Sequence, residues 1–476
     1  MVVKTSKKKN LNKNIFLEKI TSNFPFSFSE EQEIIINELS DYILDISTGS
    51  IFLLKGYAGT GKTTLISALV KSLSSINKKP FLLAPTGRAA KVLASYAKKS
   101  ASTIHRKIYW INTNKLGNTF IKLKENTHTN TIFIVDEASM IPESSKKSFE
   151  NRSLLDDLIQ FVYDGIGCKL ILIGDTAQLP PVHLDTSPAL NATLLQQNYG
   201  KEIISKSLVN IVRQSKSSTI LLNATSIRKQ ISSQQFYLPQ LETSQDVIRI
   251  QSGDELQACL EDHYNQSGIN NTIVLCRSNK RANFYNQQIR TRIRYVDEKI
   301  VAGDLLMVVK NNYFWLNKNN QSELIANGDI LEVKSVNKIE IKYGFNFANI
   351  TVKFLDFLED KELDVIVMLD TINLETPSLP YEEYQKLYQK ISVDYKGSDA
   401  KKNIKENKYL NALQIKFSYS ITCHKSQGGQ WHNVFIDLGY FKNEMLDLSY
   451  LRWLYTAITR ASKKLYLINF NNDFFS

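Results

Sequence analysis

Along the chain, short wholly apolar runs alternate with stretches in which apolar residues recur every three or four positions. From Ser29 to Leu44 the residues Ile35, Leu39 and Ile43 fall on one face of a helix, with Ser29 standing where an N-cap is expected. Ile51-Phe-Leu-Leu predicts a buried strand, and Leu65 to Leu73 predicts a helix. Phe81-Leu-Leu-Ala, Ile132-Phe-Ile-Val and Leu170-Ile-Leu-Ile predict further strands, with helix-like stretches between them. Strands apolar on both faces and joined by helices imply a parallel sheet covered on both sides. A second strand–helix set begins near Ile273-Val-Leu-Cys276. It is interrupted by runs rich in β-branched and aromatic residues: Leu305-Leu-Met-Val-Val309, Ile330-Leu-Glu-Val333, Ile339-Glu-Ile-Lys-Tyr343 and Ile350-Thr-Val-Lys-Phe354. Strand–helix character resumes near Phe417. The fold class is therefore α/β: two cores in tandem, with a small barrel-like β insertion in the second. The insertion holds an acidic patch (Asp356, Glu359, Asp360, Glu362, Asp364) and a Lys-rich run (Lys401, Lys402, Lys405, Lys408). Residues 1–14 carry Lys4, Lys7, Lys8, Lys9 and Lys13 with no acid and predict a frayed tail.

Charge adds a partner class. Lys and Arg number 59 against 47 Asp and Glu, a net +12 that suits a polyanion. The four cysteines are scattered, without a Cys-x-x-Cys pair, which excludes a disulfide framework and a zinc cluster. His128, His183, His263 and His432 have no partner at metal-ligand spacing. No apolar run approaches the ~20 residues of a membrane span. The start of the chain lacks the apolar stretch of a secretory signal. The expectation is a cytoplasmic protein with no membrane partner.

The chemistry is concentrated after three of the strands. Gly56-Tyr-Ala-Gly-Thr-Gly-Lys62-Thr63 fits G-x-x-x-x-G-K-[ST] between the strand at Ile51 and a helix. The backbone N–H groups of Ala58, Gly59, Thr60, Gly61 and Thr64 are candidates to cradle a nucleotide's phosphates, together with a helix N-terminus. Lys62 would reach the terminal phosphates and Thr63 would ligate Mg²⁺. Asp136 and Glu137 end the strand Ile132–Val135, placed to hold Mg²⁺ and to take a proton from attacking water. Gln178, in Gly174-Asp-Thr-Ala-Gln-Leu-Pro-Pro, is neutral, both donor and acceptor, and could sense the γ-phosphate. A cation for the charge that develops there is worth ~10³–10⁵ in rate, and composition alone singles out no arginine for it.

These segments, in this order, resemble the superfamily 1B helicases of the RecD/Dda type, with the Pif-type enzymes as relatives. The resemblance is carried by Phe28-Ser-Glu-Glu-Gln32, the phosphate loop, Ala84-Pro-Thr-Gly-Arg-Ala-Ala90, Ser102-Thr-Ile-His105 and Asp136-Glu-Ala-Ser. It continues through Gly174–Pro181, Val212-Arg-Gln214, Asn327-Gly-Asp329, Thr422-Cys-His-Lys-Ser-Gln-Gly428 and Tyr455-Thr-Ala-Ile-Thr-Arg460. It implies two RecA-like cores, a β-hairpin pin in the first and an SH3-like insertion in the second. It also implies a Mg²⁺-dependent, ATP-driven enzyme that moves 5′ to 3′ on single-stranded DNA and opens duplex junctions, acting as a monomer. The divisions expected are 1–105 and 132–205 for the first core, 106–131 for the pin, 206–300 and 412–476 for the second core, and 301–411 for the insertion.

By the same resemblance Gln32 would bond adenine, and Gln430 would meet the ribose where the family usually has Glu. Arg213 and Arg460 would reach in from the second core. Pro85, Thr86, Thr103, His105, Thr422, His424 and Lys425 would line the DNA groove. Trp110 to Lys124, turning at Asn114–Gly117, would form the pin, with Trp110 and Phe120 free to stack on a base. An ssDNA-stimulated translocase that does not separate strands stays open as the alternative. A small-molecule kinase or GTPase would leave the segments at 84–105 and 422–428 without a job.

Overall fold

The computed structural model describes every residue except 1, 48, 114–118, 144–152, 212–217, 317–324, 356–361, 398 and 476; for 2–11, 111–113 and 119–121 it describes the backbone alone. Two helices lead, α1 (Val2–Asn23) and α2 (Glu30–Leu44). The basic start is thus helical rather than frayed. Phe16, Ile20 and Phe24 bury with residues of α2 and of the helix Lys62–Ser72, and Lys13 pairs with Asp41 at 2.7 Å. Ser29 caps α2 in a reciprocal capping box with Gln32.

The first lobe continues as β1 (Ser50–Gly56), α3 (Lys62–Ser72), β2 (Lys79–Ala84), α4 (Gly87–Ala97), β3 (Ala101–Thr103) and α5 (Ile104–Ile108). Then come β4 (Tyr109–Thr113), β5 (Thr119–Leu123), β6 (Thr131–Val135), α6 (Leu154–Tyr163), β7 (Lys169–Gly174), α7 (Ala192–Tyr199) and β8 (Glu202–Leu208). Among the described residues its sheet runs β3-β2-β6-β7-β1-β8, every pairing parallel. β1, β6 and β7 are buried along almost their whole lengths, as their unbroken apolar runs require. β4 and β5 stand apart as an antiparallel pair, Tyr109 opposite Leu123 and Thr113 opposite Thr119. The turn expected at Asn114–Gly117 lies outside the described residues.

The second lobe opens with α8 (Thr219–Ser233), β9 (Val247–Ile250), α9 (Gly253–Ser267), β10 (Thr272–Cys276) and α10 (Asn279–Gln288). A closed barrel follows, of β11 (Leu305–Val308), β12 (Ile330–Lys342), β13 (Phe345–Phe354), β14 (Glu362–Met368) and, after helices α11 (Tyr381–Ser392) and α12 (Ala400–Lys405), β15 (Leu413–Phe417). The runs at Ile330 and Ile339 are one strand. Register shifts between Val333 and Ser335 and between Val336 and Lys338 let it bend round the barrel. β15 closes the barrel beyond position 411, where the alternating pattern had stopped. Of the acidic patch, Asp356, Glu359 and Asp360 lie outside the described residues. The lobe ends with β16 (Ser420–Thr422), α13 (Cys423–Ser426), β17 (Trp431–Asp437), α14 (Leu448–Ile458) and β18 (Ala461–Ile468), in a parallel sheet ordered β16-β10-β17-β18-β9. No helix among the described residues is long and apolar enough to cross a membrane.

A candidate nucleotide site between two lobes

Three parallel strands of the first sheet aim their carboxyl ends at one place. β1 delivers the phosphate loop, β6 delivers Asp136 and Glu137, and β7 delivers Asp175 and Gln178. β7 is bonded to both of the others, so the three ends are neighbours. Gly59 and Gly61 take positive φ (76° and 82°), the left-handed turn that only glycine adopts without strain. A Cβ at Gly56 would meet the Lys62 side chain at 2.7 Å, so the loop closes over its own lysine. Lys62 Nζ donates to the Gly56 and Tyr57 carbonyls, the latter at 2.8 Å.

The amino ends of second-lobe strands face this group. Together they enclose a cavity of about 450 Å³, lined on one side by Ala58, Lys62, Thr63, Asp136, Glu137 and Gln178. Gly428, Gly429, Gln430, Thr459 and Arg460 line the other side. Arg460 is 4% exposed, and its Nη1 lies 4.0 Å from Glu137 Oε1. Its other nitrogens bond Thr456 O at 3.0 Å and Thr459 Oγ1 at 3.2 Å, which fixes the guanidinium to its own lobe. Glu137 has φ 52°, a strained backbone for a non-glycine residue that turns its side chain into the cleft. Burial lifts its carboxyl to about 7, with Asp136 adding to the rise and Arg460 opposing it. Asp136 rises for the same reason, held back by the bond its Oδ1 accepts from Glu137 N at 2.8 Å and by Lys62. Gln178 Oε1 is buried with no hydrogen-bond partner, an acceptor awaiting a donor at the cavity wall.

Several expected residues sit differently. Gln32 is 1% exposed and does not line the cavity. Its Nε2 bonds Thr60 O at 3.2 Å and its Oε1 accepts from Ser29 N, so its amide braces the phosphate loop from behind. Gly56 and Thr60 lie beneath the loop surface as well. Arg213 lies outside the described residues. Gln430 lines the cavity, and its Oε1 accepts from Tyr96 Oη of α4 at 2.9 Å, a bond across the lobes.

Sequence reasoning missed the residues that join the lobes. Tyr455 Oη donates to buried Asp175 at 2.7 Å and accepts from Ala58 N at 3.0 Å. Leu179 is held on both sides by the second lobe, its N–H by Thr456 Oγ1 at 2.9 Å and its carbonyl by Gln427 Nε2 at 2.7 Å. Arg228 of α8 stacks over the Tyr57 ring at 4.4 Å, and Arg88 over Trp431 at 4.0 Å. Tyr455 and Gln427 stand inside motifs readable in the sequence. Tyr96 and Arg228 carry no such signal.

Several of the candidate DNA-binding residues gather at carboxyl ends of strands at or next to a sheet edge. Pro85 and Thr86 follow β2, Thr103 ends its neighbour β3, and Thr422 ends β16. Thr86 and Thr103 cap α4 and α5 by accepting from Ala89 N and Arg106 N, which leaves each O–H as a donor. Burial holds His105 and His424 below the ordinary imidazole range, hence neutral near pH 7. Lys425 is pushed down to about 8 by burial, with Lys416 adding to the fall, and its Nζ donates to Asn327 Oδ1 of the barrel. Trp110 is half exposed, with Lys124 Nζ 4.7 Å over its ring; the Phe120 side chain lies outside the described residues.

Residues 30–250 match the family model described as an AAA domain, and residues 417–468 that of a UvrD-like helicase C-terminal domain. The chain is 24% identical over 516 residues to the uncharacterized protein R530 of Acanthamoeba polyphaga mimivirus, an alignment spanning 92% of this chain and 99% of that one. It is 32% identical over 154 residues to the ATP-dependent RecD2 DNA helicase of Deinococcus radiodurans, 32% of this chain but 18% of that protein. Among solved structures, Pif1 helicase from Bacteroides in complex with ADP-AlF3 and ssDNA aligns over 94% of this chain and 93% of its own, with 16% identity and a TM-score of 0.46.

Proposed function

We propose that this chain, which belongs to the superfamily 1B helicases of the Pif1 and RecD kind, is an ATP-dependent motor that moves 5′ to 3′ on single-stranded DNA and separates duplex at a junction. The observation that carries the reading is the shared cavity. The lysine and two carboxylates of one lobe face an arginine of the other across about 450 Å³, a volume within the usual range of a small-ligand site. RecD2, similar to this chain over 154 residues, is named an ATP-dependent DNA helicase.

Lys62 would leave the loop carbonyls for the terminal phosphates, and the loop N–H groups would hold the β-phosphate. Thr63 and Asp136 offer hard oxygen donors of the kind Mg²⁺ takes together with nucleotide phosphates. Bound Mg²⁺ would neutralise charge on the phosphates. Glu137, ionised above about pH 7, would take the proton of the attacking water. Arg460 would stabilise charge on the γ-phosphate, with Arg213 proposed beside it.

Arg460 meets the phosphate only when the lobes are together, so nucleotide favours closure and product release favours opening. The threonines at β2, β3 and β16 grip the strand from both lobes. Changing their separation moves the strand. The β4–β5 pair is proposed as the pin and the barrel as the SH3-like insertion. The test is unwinding of matched 5′-tailed and 3′-tailed duplexes with ATP hydrolysis followed in parallel. Opening of the 5′-tailed substrate alone is expected. Hydrolysis stimulated by single strands with neither substrate opened would select the translocase reading.

A further inference from the structure

The second lobe carries a cavity of about 430 Å³ that the reaction does not use. It opens at the carboxyl ends of β9 and β18, between the start of α9 and the length of α10 with the turn that follows it. Ile250, Leu260 and Ile289 form an apolar floor. Gln251, Gln257, Gln288 and Asn469 place four carboxamides on its walls, each with donor and acceptor groups of the kind that read base edges. Two arginines, Arg281 and Arg292, line it, and none of the described lining residues is a carboxylate. Phe284 stands at the rim, 53% exposed.

Arg281 is held in place. Its Nε and Nη2 bond the two oxygens of fully buried Asp437 at 2.7 and 2.9 Å, and Asn469 Nδ2 bonds the same carboxylate at 2.6 Å. The guanidinium lies 5.8 Å from the Phe284 ring and keeps N–H groups on Nη1 for a further acceptor. An aromatic face, carboxamides and a pinned guanidinium over an apolar floor form a nucleotide's counterpart.

Position supports one source for that nucleotide. The sheet is wholly parallel, and ligands of such sheets lie outside the carboxyl ends of the strands. Thr422, a candidate DNA contact, ends β16 at the level of Cys276 on β10. β9 lies three strand spacings from β10, about 14 Å along the same edge. We propose that this cavity receives a nucleotide of the bound single strand at the end of its path over the second lobe. The base stacks on Phe284, and the phosphate meets Arg281 and Arg292.

This inference rests on the DNA reading above, and a length series separates the two. Binding of fluorescent oligothymidylates of increasing length is measured for the wild-type protein, Phe284→Ala, Phe284→Trp and Arg292→Ala. In the wild type, affinity should step up at the length that first reaches the cavity. Phe284→Ala should remove that step, about tenfold, in the range of one stacked base. Arg292→Ala should reduce it, and Phe284→Trp should keep it. The shortest strands that bind should bind all four proteins alike, which also reports correct folding. Loss of affinity in Phe284→Ala that is equal at every length, or no loss at any, would overturn the proposal. So would saturable binding of thymidine monophosphate that Phe284→Ala abolishes while the step persists. A wild-type protein that binds no oligothymidylate would instead overturn the DNA reading itself.

Discussion

Tyr455 Oη lies 2.7 Å from Asp175 Oδ2 and 3.0 Å from Ala58 N, so one side chain of the second lobe touches both the phosphate loop and the carboxyl end of β7. Tyr455→Phe leaves a buried donor and a buried acceptor unpaired at the seam, a cost of about 1–3 kcal/mol. ATP turnover should fall about tenfold or more. Nucleotide should still bind, because Lys62 and the loop N–H groups belong wholly to the first lobe. Steady-state hydrolysis and fluorescent-nucleotide titration together check this; unchanged turnover would deny the contact a role.

Glu137 has its carboxyl raised to about 7 by burial. The base is the ionised form, so kcat/KM for ATP should climb as pH rises through 7 and level off above it. Glu137→Gln should bind ATP but hydrolyse it at least a hundredfold more slowly, and the climb should vanish with the residual rate. A pH profile for the variant that keeps the wild-type shape would place the titrating group elsewhere.

Lys425, pushed down to about 8, carries its charge below that pH and loses it above. Affinity for single strands should therefore weaken between pH 7 and 9. Lys425→Arg, always charged, should flatten that dependence. Titrations of a labelled oligonucleotide across this range give the answer, and a flat wild-type profile would remove Lys425 from the groove.

Gly428 has φ 75°, and a Cβ there would meet the Ala89 Cβ of α4 at 2.5 Å. Gly428→Ala should force the second lobe off α4. The expected result is a raised KM for ATP and a fall in turnover, with little change in the stability of the first lobe. Thermal unfolding alongside kinetics separates that outcome from general misfolding.

Much of the frame was legible because the strands β1, β2, β6, β7 and β10 are buried on both faces and write themselves as unbroken apolar runs. β9, with Arg249 within it, and β18, which opens Ala461-Ser-Lys-Lys, have polar residues where they meet solvent and gave no such run. The basic start read as a tail because its lysines stand before its apolar anchors, Phe16 and Ile20. Lys62, Asp136 and Glu137 were legible through motif spacing and Gln178 through the resemblance, and all four line the cavity. Gln32 was expected at the base but is spent on Thr60 and Ser29, a pairing that depends on how α2 abuts the loop. Tyr96 meeting Gln430 depends on lobe geometry, which no local pattern encodes.

The central claim is that Arg460 completes from the second lobe a site built on the first. Its most direct test is ATP hydrolysis with and without oligothymidylate for the wild type and Arg460→Ala. The wild type should be stimulated strongly by the strand. The variant should bind nucleotide yet lose about 10³ in turnover in both conditions. A variant that hydrolyses ATP at the wild-type rate and still responds to the strand would contradict the account.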